Sequence, residues 1–164
     1  MALEIASAGA YIAYCVETTA GTRPTQGYTK INNVKTIGEL DAQPATYDVT
    51  DLSDLEFKRY IPGLKDIGGD VPLTANLTEA FMTAWSTLVS AAETGASTNK
   101  ATWFEVVIPK LTKSFYFQGI PVDLGLSEIA TDTALETTAH ITPNKIVGWE
   151  TKSTNPSGAT GSTT

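Results

Sequence analysis

Residues Tyr47 to Asn76 read YDVTDLSDLEFKRYIPGLKDIGGDVPLTAN. The stretch opens like a strand and closes like one. Between the two ends lies a segment too apolar for a solvated loop: Leu52, Leu55, Phe57, Tyr60, Ile61, Leu64 and Ile67. Interleaved with them are Asp51, Asp54, Glu56, Lys58, Arg59, Lys65 and Asp66. Loops longer than about 12–15 residues are uncommon in compact domains and are usually functional or disordered. Disordered segments lack the apolar and aromatic residues found here. A segment carrying greasy side chains and charges of both signs is expected to lie against something, either its own core or a neighbouring subunit.

Just beyond this stretch's charged half, Gly68-Gly69 marks a sharp backbone feature. Val71, Leu73 and Ala75 then alternate with Pro72, Thr74 and Asn76, the period-2 pattern of a half-buried strand. Pro72 cannot donate to a ladder, which places this strand at an edge or delays its start. A helix is expected over residues 77–93. Asn76 is a suitable N-cap, with Glu79 three residues on. Leu77, Phe81, Ala84, Trp85, Leu88 and Ala92 fall on one stripe, with Val89 on its flank. Glu79, Thr83, Ser86 and Ser90 fall opposite, and Gly95 is the expected stop. Such a helix must cover one face of a sheet, because no second helix offers itself.

On the N-terminal side, residues 1–10 read as a short arm and Tyr11 to Glu17 as a first strand. Thr18 to Gly27 is turn-rich. Tyr28 to Ile37 reads as a strand with a break near Asn32-Asn33, and Ala45 to Thr50 as the strand entering the long loop. On the C-terminal side, Trp103–Ile108 and Ser114–Ile120 form a hairpin across Pro109 to Lys113. Gly119 and Pro121 signal a bend or bulge before Val122 to Leu124. Ile129 to Ile141 reads as a last long strand, with Leu135, Thr137, Ala139 and Ile141 on one face and Glu136, Thr138 and His140 on the other. Lys145 to Thr151 adds a short strand bearing Trp149. From Lys152 the composition is that of a flexible tail. The division expected is one domain over 1–151 and a Ser/Thr/Gly-rich tail over 152–164.

The totals narrow the function. The chain has 164 residues, enough for one domain with a real core. Its net charge of −7 lacks the basic footprint of a duplex-binding module. The single cysteine, Cys15, excludes an internal disulfide. No segment approaches the roughly 20 apolar residues of a membrane helix, and the N-terminus does not read as a secretory signal. One His and one Cys do not make the usual zinc site, and neither EF-hand spacing nor a phosphate-binding glycine loop occurs. Cys15 and His140 lack an orienting third group, so the chain is not expected to be an enzyme and no cofactor or metal is expected. Asp51, Asp54 and Glu56 sit just ahead of Lys58 and Arg59, and ion pairing explains them better than catalysis. Trp85 and Trp103 read as core. Trp149 and Tyr116 remain open between core and surface.

The succession YTKINNVKTIGELDAQPATYDVTDLSD, followed by KRYIPGLKDIGGDVPLTANLT, resembles the major tail tube proteins of long-tailed, siphovirus-type bacteriophages. The matching positions are Asp48-Val49-Thr50 and Arg59-Tyr60-Ile61-Pro62-Gly63-Leu64-Lys65-Asp66, and the likeness covers roughly residues 10–150. It implies a mainly β fold with one α-helix, a two-sheet β-sandwich or incomplete barrel flanked by that helix. It also implies assembly into hexameric rings stacked as a tube, the conduit for DNA ejection. The long loop, residues 50–68, would then contact a neighbouring subunit through Leu52, Phe57, Lys58, Arg59, Tyr60, Ile61, Pro62, Gly63, Leu64, Lys65 and Asp66. Glu128 and Glu136 are candidates for the lumen, whose wall should repel phosphate so that DNA passes without specific binding. The implied partners are copies of the chain itself and other tail proteins such as tape measure, tail tip and terminator. The implied place is the virion tail, assembled in the host cytoplasm. Two alternatives share much of the reading: a tube protein of a bacterial contractile injection or secretion system, and a carbohydrate-binding or adhesin β-sandwich.

Overall fold

The alternation read in the sequence builds most of the structure. A computed structural model describes residues 7–154; the N-terminal residues 1–6 and the tail 155–164 lie outside the described residues. The elements are β1 (Tyr11–Val16), β2 (Thr29–Lys30), β3 (Val34–Ile37), β4 (Gln43–Asp48), β5 (Tyr60–Asp66), β6 (Val71–Asn76), α1 (Glu79–Ala96), β7 (Thr102–Val107), β8 (Lys113–Pro121) and β9 (Glu136–Thr151). Seven strands form one antiparallel sheet in the order β2-β1-β7-β8-β9-β6-β3, and β4-β5 form a separate two-stranded sheet.

The sheet curls into an incomplete barrel, and its connectivity shows why. Strands β2 and β3 lie at opposite edges, yet only residues 31–33 join them. So short a link requires the two edges to approach each other. Asn33 makes the passage in the left-handed region (φ 65°), which Asn tolerates. Its carbonyl accepts from Asn76 N–H at 3.1 Å. The break expected at Asn32-Asn33 is therefore the point where the chain crosses from one edge to the other.

Ile12, Val71, Leu73, Ala75, Phe104, Phe117, Ala139 and Ile141 line the core face and are buried together. Phe81, Trp85, Leu88 and Val89 of α1 close over it, so the helix covers a sheet face as the stripe predicts. Phe104 and Phe117 stack with centroids 5.2 Å apart, and Trp85 Nε1 donates to Val122 O at 2.8 Å. The mainly β, one-helix, incomplete-barrel expectation is met.

The opposite face of the sheet carries a smaller cluster of Ala13, Tyr28, Trp103 and Tyr116. Two buried carboxylates organise it. Glu17 accepts from Trp103 Nε1 (2.8 Å), Gly21 N (2.9 Å) and Ala101 N (3.1 Å). Glu105 accepts from Tyr116 Oη (2.9 Å), Ser153 N (3.1 Å) and Ser153 Oγ (2.5 Å). Burial, then the Glu105 carboxylate, pushes the Tyr116 hydroxyl far above the ordinary tyrosine range. The Arg23 guanidinium lies 4.4 Å from the centre of the Tyr116 ring.

Several sequence expectations need correction. The helix starts two residues late: Thr78, not Asn76, is the N-cap, its Oγ1 accepting from Phe81 N at 3.1 Å. Gly95 does not stop it. A Cβ there would meet Val16 Cγ1 at 2.6 Å, so the glycine lets the last turn press on β1. Strand β6 is internal, between β3 and β9. Pro72 is tolerated because its missing N–H points to the β3 side, where the ladder begins only at Leu73 and the Pro72 carbonyl accepts from Gly38 N. The last strand begins at Glu136 rather than Ile129 and runs unbroken to Thr151, absorbing the short strand expected there. Lys152 to Thr154 are bound to the body: Lys152 Nζ donates to Ile108 O at 2.9 Å, and Thr154 bridges Gln26. Among the described residues, no helix is long and apolar enough to cross a membrane.

Candidate assembly surface

The second part of the segment read as a long loop is a strand, β5, which pairs with β4 in a β-hairpin whose tip is residues 49–59. Gln43 pairs with Asp66, Tyr47 with Ile61 and Asp48 with Tyr60, and both strands belong to no other sheet. The signal misread was the motif Ile61-Pro62-Gly63-Leu64, whose Pro and Gly argue against a strand. Pro62 is tolerated because a two-stranded ribbon leaves each strand one free edge. Gly63 lets the Tyr47 ring lie over the strand: a Cβ there would come within 2.4 Å of Tyr47 Cε2 and push the ring aside.

The tip of this arm is built from local hydrogen bonds. Asp48 Oδ1 accepts from Thr50 N (2.9 Å) and Oγ1 (2.5 Å), and Asp51 Oδ1 from Ser53 N (2.7 Å) and the Ser53 hydroxyl. These bonds, the hydroxyl first in each case, hold both carboxyls below the ordinary aspartate range although both are exposed to water. Arg59 closes the turn, with Nε 2.9 Å from Asp54 Oδ2 and Nη2 3.3 Å from Asp51 Oδ2. The expected ion pairing thus holds for Asp51 and Asp54 through Arg59.

The arm leaves its apolar side chains in water. Leu52 is 104% exposed, Leu55 92%, Leu64 89% and Phe57 79%; Tyr47, Val49, Tyr60 and Ile61 are exposed as well. Lys58, Arg59, Pro62, Lys65 and Asp66 are exposed too, and Gly63 is half-buried. The eleven residues singled out in the sequence therefore share one projecting arm: Leu52 to Arg59 at its tip and Tyr60 to Asp66 along β5. Tyr47 on β4 and Val49 just beyond it were missed, although their alternation with Asp48 could have named them.

A second apolar segment was missed, in part because its C-terminal half, from Ile129, was read as strand. Residues 122–135 carry exposed Val122, Leu126, Ile129 and Leu135 without regular structure. Glu128 stands in this loop, and Glu136 begins β9, ion-paired with Lys35. Both line one shallow hollow of about 410 Å³, together with Thr74 and Ser127.

The remaining candidates resolve plainly. Trp103 and Tyr116 are buried, and Trp149 is half-exposed, edge-on to Phe115 at 5.5 Å. Cys15 Sγ donates to Val16 O and Gln26 O, whereas His140 pairs with Asp70, so the two have separate partners. Among the described residues no group of His, Cys, Asp and Glu is placed to hold a metal ion.

No protein-family model matches the sequence. A search of curated proteins likewise returns no match. A search of solved structures does return matches. A chain of the anti-feeding prophage baseplate, determined by cryo-EM with six-fold symmetrisation, superposes with a TM-score of 0.56 at 8% identity, over 89% of this chain and 95% of that one. A chain of the phage p2 baseplate in its activated, strontium-bound conformation gives a TM-score of 0.43 at 12% identity, over 84% of this chain and 45% of that one. At these identities the likeness to the prophage baseplate chain is one of fold, spanning nearly the whole of both chains.

Proposed function

We propose that this chain is a non-enzymatic structural subunit of a phage-tail-type particle. Copies associate through the β4–β5 arm into hexameric rings, and the rings stack into the tube through which DNA leaves the virion. The observation that carries this reading is the arm itself, a paired ribbon whose large apolar side chains touch water instead of the core. Monomeric proteins rarely expose large contiguous apolar patches, and such patches mark interaction sites. Burial of Leu52, Phe57, Tyr60, Ile61 and Leu64 would release roughly 25 cal/mol for each Å² removed from water. The near-complete match to a baseplate chain of a six-fold symmetrised particle supports the same class of assembly. It equally supports a ring subunit of a bacterial contractile injection system, which would differ in partners and not in chemistry. Negative-stain electron microscopy across a concentration series tests the proposal. Hollow tubes or stacked rings are expected; small monodisperse particles at every concentration would refute self-assembly.

A further inference from the structure

The strands of the arm run six and seven residues, and each has one edge that pairs with nothing. The edges of the main sheet are shorter: β2 has two residues, and β3 has four with an irregularity between Val34 and Thr36. A long, exposed, apolar edge strand presents a row of free N–H and C=O groups to any other chain, and it aggregates unless something blunts it. The arm fits that description, with Tyr47, Tyr60, Ile61 and Leu64 exposed on its strands.

The register shows what blunts it. Val49 N donates to Arg59 O at 2.9 Å, which makes Val49–Arg59 a hydrogen-bonded pair. Antiparallel pairs alternate, so Tyr47–Ile61 is hydrogen-bonded as well, and the backbone groups of Asp48, Tyr60, Thr46 and Pro62 point outward. The N–H that Pro62 lacks is one that would face a newcomer, and it is missing from the middle of the β5 edge. Alternation along β4 turns Pro44 outward in the same way. Neither proline removes a bond from the ladder between β4 and β5. Pro44 pairs with Lys65 and Thr46 with Pro62, so Ala45 alone faces Gly63 and Leu64. That bulge breaks the spacing of outward groups on β5 just beyond Pro62. Lys58 and Lys65, both exposed, flank the same stretch with charge.

We infer that Pro44, Pro62 and the bulge at Gly63-Leu64 guard the edges of the arm. They stop it from extending a foreign sheet by backbone pairing, and so keep unassembled chains from aggregating edge to edge. An arm closed in this way has side chains, not backbone, to offer to a partner.

The test opens the edges. Pro44→Val and Pro62→Val together restore both outward N–H groups, and Pro62→Val alone restores one. Ala45→Val adds the same side chain where the backbone points into the ladder, and leaves both prolines in place. Sedimentation and thioflavin T fluorescence are followed at a concentration where the parent chain is a monomer. The double variant is expected to lose most of its monomer boundary and to gain thioflavin fluorescence, Pro62→Val to do so in part, and Ala45→Val to match the parent. A double variant that stays monomeric overturns the inference, as does equal loss of monomer from Ala45→Val. Loss of monomer without thioflavin fluorescence also overturns it, because the association then does not run through backbone pairing. Circular dichroism of the double variant at the lowest concentration should give the parent's melting midpoint; a lower midpoint assigns the prolines to the subunit's own stability and overturns the inference too. None of these outcomes depends on whether the parent forms tubes, so the inference and the proposed function fail separately.

Discussion

Glu17 shows how one residue can hold a junction. It ends β1 and accepts three hydrogen bonds, from the loop that follows and from the start of β7. Burial pushes its pKa up, but the bonds from Trp103, Ala101 and Gly21 outweigh this and hold it below the ordinary glutamate value. The stabilisation is therefore full above the unfolded pKa of about 4.3 and is lost as pH falls through the lower folded value. Glu17→Ala strands three donors and is expected to cost roughly 2–4 kcal/mol. Thermal denaturation should then show a midpoint about 4–16 °C lower, with a smaller gap between variant and parent near pH 3 than at pH 7. Gly63 is a second case. Gly63→Ala must displace the Tyr47 ring, so the barrel should keep its melting temperature while assembly weakens. Sedimentation alongside calorimetry separates the two effects. The sequence marked Gly63 as part of a motif, but the ring above it comes from the other strand and had no local signature.

Among the elements, the β4–β5 arm is the decisive one. Its strands pair with each other and with nothing in the barrel, so substitutions on it should spare the fold. Ile61→Asp with Leu64→Asp is expected to yield a folded monomer that no longer forms tubes, read by circular dichroism and electron microscopy together. A misfolded product would show that the arm serves the subunit's own stability. The apolar and charged content of this segment is legible in the sequence, because composition is local. Its paired state is hidden there, because Pro62 and Gly63 read as breakers and the free edges that tolerate them are a tertiary fact. Residues 129–135 were misread for the converse reason: Leu135 continues the alternation of β9, yet the ladder stops at Glu136, which pairs with Asn76 at the end of β6.

Across the whole molecule, the C-terminal end of the body is part of the structure. Ser153 gives two hydrogen bonds to buried Glu105, and Thr151 O accepts from Tyr116 Oη at 2.8 Å. Composition alone marked the residues from Lys152 onward as a flexible tail. Truncation after Thr151 is instead expected to destabilise the barrel by roughly 2–4 kcal/mol, because a buried carboxylate loses two of its donors. Denaturant unfolding, compared with truncation after Thr154, checks this. If Ser153 is the cause, the chain ending at Thr154 must lose less stability than the chain ending at Thr151.

The mainly β class, the helix with its buried stripe, the β7–β8 hairpin, the irregularity at Gly119 where β8 pairs with β9, and the apolar, charge-laced segment were all readable from the amino acids in order. These follow from period and composition, which neighbouring residues set among themselves. Three features required the folded chain: the meeting of the two sheet edges across residues 31–33, the burial of Glu17 and Glu105 with their partners, and the free β4–β5 ribbon with its apolar side chains in water. Each joins residues far apart in the chain, and long-range pairing leaves no periodic trace in either partner alone.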